Sequence, residues 1–571
     1  MFIKQIGMSH RLLNITFFFL IIIIITQTAV LATTQVETQN ALLSLPEGRV
    51  QGIQTRTHRV YRYTIPYAQP PVGSLRWQDP QPVLNRTGIY RGTELPPPCP
   101  QGQPGGVYFT NEDCLYLSVY IPQRLLKRSK TGAPIFFWVH GGSMITGSAS
   151  GYGLDGSTLA DKSGNVVIVA QYRLGLLGFL RTPKSDGANA LSGNYAIKDL
   201  MMALNYLKKN ANFFGADKDR ITVAGQSSGA SLIKTLLTVK SAMNLFNRAI
   251  LHSAPLNYGD HTISTAEKVG SAALSTLNCT IDELRTKPTL PEILAAQNKL
   301  QAEFSTRISP VASAEPFKPV VDGSLVSVDF IHGINQRSQM KGHQRKIIFT
   351  TVKDEAGPTI GEIFKPNTSR LVFEPALELA IASTDTRRLG FIKSSKLYSN
   401  ELKRLISKNI SDATRDELSV FGTDYIWRCA NQQSALNLTL SKKNLLNVGD
   451  IWIGEFHAGI KYNSTISIDY CQSKVCHEDD ILSVFGLPID QKPNDISKHL
   501  IDEIQARWTA FATNGDPNLP GHTPWSKVQG PKHLNLLQIG SKSTHVVQQL
   551  RPRACETLWG VKARFDAQIY S

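Results

Sequence analysis

Beyond residue 32 the chain lacks a second apolar run of membrane length, so a multi-span membrane protein is excluded. Its last residues, Asp566–Ser571, carry no hydrophobic tail for a lipid anchor. It also lacks any dense Lys/Arg block. The formal charge of +16 is therefore a generally basic surface, not a nucleic-acid arm, and no nucleic-acid partner is expected. There is no internal repeat, low-complexity block or dividing linker, which excludes a solenoid and a string of modules. Cysteine is scarce, seven in 571 residues. A chain of this size buries a large core without such staples.

What is present begins with a leader. Lys4 and Arg11 precede Ile15-Thr-Phe-Phe-Phe-Leu-Ile-Ile-Ile-Ile-Ile25, and Val30-Leu-Ala32 fits the small-x-small cleavage rule. Residues 1–32 read as a signal peptide, with an uncleaved signal anchor as the alternative. Residues 33–571 are then a single domain, secreted or lumenal, with no membrane span. Without Lys4 and Arg11 the net charge is about +14. Asn-x-Ser/Thr acceptors start at Asn85, Asn278, Asn367, Asn409, Asn437 and Asn463. Seven cysteines fit an oxidising compartment, and an odd number leaves a thiol free or paired between chains. A homo-oligomer is thus an open alternative.

The chain is organised around Ile221-Thr-Val-Ala-Gly225-Gln-Ser227-Ser-Gly229, where a β-branched run enters Gly-x-Ser-x-Gly and a helix-like run follows. A serine on a tight strand-to-helix turn has strained backbone angles, and its neighbours have no room for a Cβ. The turn exposes the hydroxyl. The helix N-terminus behind it aims N–H groups at developing negative charge. Ser227 is the candidate nucleophile. The motif alone is a weak signal, so a base, an acid and an oxyanion hole must be found elsewhere.

Residues 45–80 read as short strands and turns, and 111–120 as a strand with period-2 alternation. Ile135–Val139 and Asn165–Ala170 are uninterrupted apolar runs, the signature of parallel strands buried on both faces. Residues 194–213 read as a helix, 347–352 and 450–456 as late strands, and 500–513 as a helix. Residues 262–440 form a helical elaboration. Strand, helix, strand, turn and helix in this order predict a doubly wound α/β sheet.

Ten strings in order give the chain a resemblance to type-B carboxylesterases, the cholinesterase-like branch of the α/β-hydrolases. They include Ile65-Pro-Tyr-Ala-Gln-Pro-Pro-Val-Gly73, Glu112-Asp-Cys-Leu-Tyr-Leu117, Trp138-Val-His-Gly-Gly142 and Tyr172-Arg-Leu-Gly-Leu-Leu-Gly-Phe179. Gly193-Asn-Tyr-Ala-Ile-Lys-Asp199, Pro319-Val-Val-Asp-Gly323 and Phe511-Ala-Thr-Asn-Gly-Asp-Pro-Asn518 continue the series. The resemblance implies an α/β-hydrolase fold: a large, mostly parallel central sheet flanked by helices, with helical insertions. It also implies a small-molecule carboxylic ester as substrate, with neither cofactor nor metal.

An acyl-transfer serine needs a histidine base and a carboxylate that fixes its tautomer. The resemblance puts the acid at Glu355, in Asp354-Glu-Ala-Gly357, with Asp354 a local rival. It puts the base at His477, in His477-Glu-Asp-Asp-Ile481, with His252 and His457 as rivals. The oxyanion donors are the N–H groups of Gly141, Gly142 and Ser228. Ser253 and Asp480 are implied to sit behind the histidine.

Two departures bear on substrate. The residue before the nucleophile is usually Glu in the family and is Gln226 here, which removes a charge that suits cationic substrates. The loop from Cys99 to Cys114 is short and holds no Trp, the best face for a quaternary ammonium. Both argue against a cholinesterase, although Tyr108 and Phe109 are candidate replacements for the Trp. The short loop argues for an open esterase. By the resemblance, Cys99 pairs with Cys114 and Cys429 with Cys555. Cys471 and Cys476, five apart, are expected to pair locally, which leaves Cys279.

Overall fold

The computed structural model describes residues 41–559, except 56–58, 103–109, 128–131, 308–315, 337–343, 382–385, 442–443, 489–490 and 532. The leader at 1–32 and the residues Tyr108 and Phe109 lie outside the described residues. Fourteen strands are described. They are β1 (Leu42–Leu45), β2 (Gly48–Gln51), β3 (Ile53–Gln54), β4 (Val60–Pro66), β5 (Ile89–Arg91), β6 (Tyr116–Pro122) and β7 (Ala133–Val139), followed by β8 (Val166–Ala170), β9 (Ala216–Gln226), β10 (Arg248–His252), β11 (Arg345–Val352), β12 (Val448–Phe456), β13 (Leu536–Ile539) and β14 (Thr544–Val547). A small sheet joins β1, β2 and β5.

The main sheet runs β14-β13-β12-β11-β10-β9-β7-β8-β6-β4-β3. From β13 to β8 every pairing is parallel. Antiparallel strands close both edges. This is the α/β-hydrolase fold.

The apolar runs explain the centre of the sheet. All seven residues of β7 and all five of β8 are buried. In β7, Ile135, Phe137 and Val139 join one core cluster, while Phe136 and Trp138 join another. Helices therefore cover both faces, as crossover connections require. The alternation expected over 111–120 does not become one wet face. Every residue of β6 after Tyr116 is buried, because helices cover this antiparallel strand too.

β7, β9, β10 and β11 end side by side. The segments that follow them begin at His140, Ser227, Ser253 and Lys353, along one carboxyl edge of the sheet. Ligands of open α/β sheets bind at such an edge. Helices fill much of 263–440, and the helix over 195–210 and that over 495–514 stand where periodicity predicted helix. No described helix is long and apolar enough to cross a membrane.

The structure joins Cys99 to Cys114, Cys429 to Cys555, and Cys471 to Cys476, and leaves Cys279 unpaired and half-buried. Of the six acceptor asparagines, five are exposed. Asn437 is half-buried and accepts from Gln433 Nε2 at 2.9 Å.

Candidate active site

Ser227 sits between β9 and the helix Ser228–Thr238 with φ 57° and ψ −126°. A side chain rarely adopts such angles, and here the surroundings hold them. The Ser227 N–H donates to the His252 carbonyl at 2.9 Å. A Cβ on Gly225 would lie 2.8 Å from the Val139 carbonyl oxygen, so this glycine lets β9 turn against the end of β7.

The loop after β7 comes back over the same spot. A Cβ on Gly141 would lie 2.8 Å from Gln226 Oε1 and 3.2 Å from Ser227 Cβ. The next glycine, Gly142, has φ 115°. No described residue accepts a hydrogen bond from the N–H of Gly141 or Gly142. Free donors of this kind are what an oxyanion needs. Met144 N–H donates to Ser228 Oγ at 3.2 Å, which ties this loop to the elbow. On its far side Gln101, inside the Cys99–Cys114 loop, clamps Gly147: Nε2 donates to the carbonyl at 2.8 Å, and Oε1 accepts the N–H at 3.0 Å. His140 is buried, stacks on Tyr172, and is held neutral by burial, its pKa lowered to about 4.

Glu355 and His477 meet beside this turn. His477 Nδ1 donates to Glu355 Oε2 at 2.5 Å. The other oxygen, Oε1, accepts from the Val352 N–H at 2.9 Å. Burial raises the Glu355 pKa, against the pull of His477. For His477, burial disfavours the charged form, but the Glu355 carboxylate outweighs it and raises the pKa to about 9. Asp354 does other work. Its carboxylate accepts from Val475 N–H at 3.0 Å, and its own N–H donates to the Val475 carbonyl. The acid loop and the histidine loop are thereby zipped together, with the Cys471–Cys476 bridge next to them.

The Gln226 amide donates to His477 Nε2 at 3.3 Å. Among the described residues it is this amide, and not the Ser227 hydroxyl, that hydrogen-bonds Nε2. The two contacts select one tautomer, with the proton on Nδ1 and the lone pair on Nε2.

Neither rival's imidazole hydrogen-bonds Ser227, although the His252 carbonyl accepts its N–H. His457 Nε2 binds Glu455 Oε1 at 2.8 Å, in an ion network with Arg428. His252 is wholly buried, donates from Nδ1 to Asp480 Oδ2 at 2.9 Å, and accepts from Trp508 Nε1 at 3.0 Å. Asp480 therefore pairs with His252. Ser253, expected behind the base with Asp480, is buried with φ 50°, and its hydroxyl has no hydrogen-bond partner among the described residues. The sequence reading missed three residues at this site: Gln101, Trp427 and the His252 partner of Asp480. Trp427 packs on the His477 ring, with centroids 5.5 Å apart. Among the described residues, no group of three or more His, Cys, Asp and Glu could hold a metal ion.

Residues 33–558 match the Carboxylesterase family. The chain is 28% identical to the crystal protein of Dictyostelium discoideum, over 85% of this chain and 84% of that one. It is 27% identical to carboxylesterase 1E of Mus musculus, over 86% and 87% of the two chains. The solved structure of a thermophilic PNB esterase superposes with a TM-score of 0.72 at 23% identity, over 91% of this chain and all of that one, a likeness of fold.

Proposed function

Because the chain belongs to the carboxylesterase family, we propose that it is a secreted or lumenal serine carboxylic-ester hydrolase using Ser227, His477 and Glu355. One observation carries the reading: a strained, turn-borne serine shares the sheet's carboxyl edge with a histidine already fixed in its base tautomer by a buried glutamate. The three paired disulfides suit an oxidising compartment.

In this reading His477 Nε2 takes the Ser227 proton as Oγ attacks the ester carbonyl. The Ser227–His477 contact forms with substrate bound, when the Gln226 amide yields Nε2. The N–H groups of Gly141, Gly142 and Ser228 stabilise the oxyanion. Imidazolium, held by Glu355, protonates the leaving alcohol, and water then releases the acyl group by the reverse path. Asp480, hydrogen-bonded to His252, adds its negative charge to that of Glu355 near the imidazolium. The neutral Gln226 and the short Cys99–Cys114 loop favour small, soluble, uncharged esters.

An organophosphate should label Ser227 covalently, and Ser227→Ala should lose both labelling and hydrolysis of a short p-nitrophenyl ester, the latter by about 10⁶-fold. The second reading is a non-catalytic carboxylesterase-like glycoprotein used in adhesion or as a structural or storage protein. Wild-type protein that neither labels nor hydrolyses would decide for it.

A further inference from the structure

The helical run from Ala413 to Leu440 is interrupted by a π-turn at Asp424–Arg428. Such turns add a residue to the helical register and recur at functional sites, where they re-aim side chains. In this one the last two residues both reach the carboxyl edge of the sheet. Arg428 Nη2 donates to the Lys353 carbonyl at 2.7 Å, two residues before Glu355. Trp427 Nε1 donates to the Ser253 carbonyl at 3.0 Å. That bond fixes the indole, whose ring lies at 52° to the imidazole of His477. Trp427 is 9% exposed, and Tyr258 is a further ring neighbour at 6.5 Å.

We propose that Trp427 is a positioning residue for His477: its ring holds the imidazole against Glu355 and favours the imidazolium formed during proton transfer. The proposal rests on the reading of His477 as the general base. An aromatic face attracts a cation within about 6 Å of its centroid, most strongly where water is excluded. The His477 side chain is only 17% exposed, so water supplies little of that stabilisation. The groups facing it are known. Glu355 comes from the acid loop, and Glu478 and Asp480 from its own turn. Asp354 is engaged by Val475, Asp479 by Lys461, and Arg428 by Asp424 and Glu455. At Nε2 stands the uncharged Gln226 amide. Among the described ring contacts, Trp427 is the one on His477.

The test uses the full chain with Trp427→Leu and Trp427→Phe. The downfield proton resonance of His477 Nδ1 reports its titration directly. Short-ester kinetics across pH give kcat and KM separately. Trp427→Leu should lower the titration midpoint by about half a unit to one unit and kcat by about 3–10-fold, with KM changed less. Trp427→Phe keeps an aromatic face and should recover at least half of each effect. An unmoved midpoint in Trp427→Leu, or a phenylalanine variant as displaced as the leucine one, would overturn the proposal. If circular dichroism shows that Trp427→Leu does not fold, Trp427→Met, also without an aromatic face, takes its place under the same criteria. The titration needs no turnover. A wild type without labelling or hydrolysis therefore defeats the esterase reading separately from the Trp427 coupling.

Discussion

The Cβ that Gly229 lacks would lie 2.2 Å from the carbonyl oxygen of Val139. The helix after Ser227 can start where it does only because that atom is missing. Gly229→Ala must push the helix away from β7, and the Ser228 N–H with it. The variant should fold with a loss of about 1–3 kcal/mol, in the range of overpacked cores. Its kcat on a short ester should fall at least about 10²-fold through the displaced oxyanion donor. Chemical denaturation and steady-state kinetics check both, and a fully active Gly229→Ala would contradict the geometry.

The pH profile follows from the His477–Glu355 pair. Burial opposes the imidazolium, the Glu355 carboxylate more than compensates, and the pKa is raised to about 9. A general base must be neutral to accept a proton. Activity should therefore fall as pH drops, with a midpoint above 6.5, the ordinary imidazole value, and up to about 9. Glu355→Gln removes the main upward pull. Its midpoint should move down while its rate falls by about 10²–10⁴-fold. A wild-type midpoint at or below 6.5 would count against the pairing.

Arg428 is a stability prediction. Its Nε donates to Glu455 Oε2 and its Nη1 to Asp424 Oδ1, each at 2.6 Å, in a buried site. Burial alone would raise the Glu455 pKa, yet Arg428 pulls it below 4.5. A depressed carboxylate contributes stability above its unfolded pKa and loses it as pH falls through the folded one. Arg428→Met strands two buried carboxylates, although Arg551 and His457 still reach them. The cost should be about 3 kcal/mol at pH 7 and shrink as pH falls below about 4.5 through the lowered Glu455 pKa. Unfolding midpoints at pH 7 and pH 4 measure this, and an equal cost at both would refute it.

Much of the fold was legible because its signals are local. Ile135–Val139 reads as a buried strand on its own, and Gly225 and Gly229 mark the turn whatever surrounds it. Glu355 and His477 carry little local signal, and family order located them. Long-range side-chain geometry stayed hidden. Nothing in the sequence around Trp427 announces a π-turn, because that register is set by what the helix packs against. The Gln226–His477 contact joins residues 251 apart. Asp480 was expected to stand with Ser253 behind the base. Only tertiary packing gives His252 as its partner.

The parallel order of β7, β9, β10 and β11 also dictates a timetable. Ser227 stands 355 − 227 = 128 residues before Glu355, and His477 a further 122 after that. Loop closure over such distances is paid before any contact rewards it, so sheets of this kind fold late and slowly. On a chain emerging from the ribosome, the elbow and its oxyanion loop have both been made when Gly229 appears. The histidine is still about half a chain away. Until the last fifth of the polypeptide is made, the strained serine stands without His477, and on the proposed reading the nascent chain carries its nucleophile unarmed.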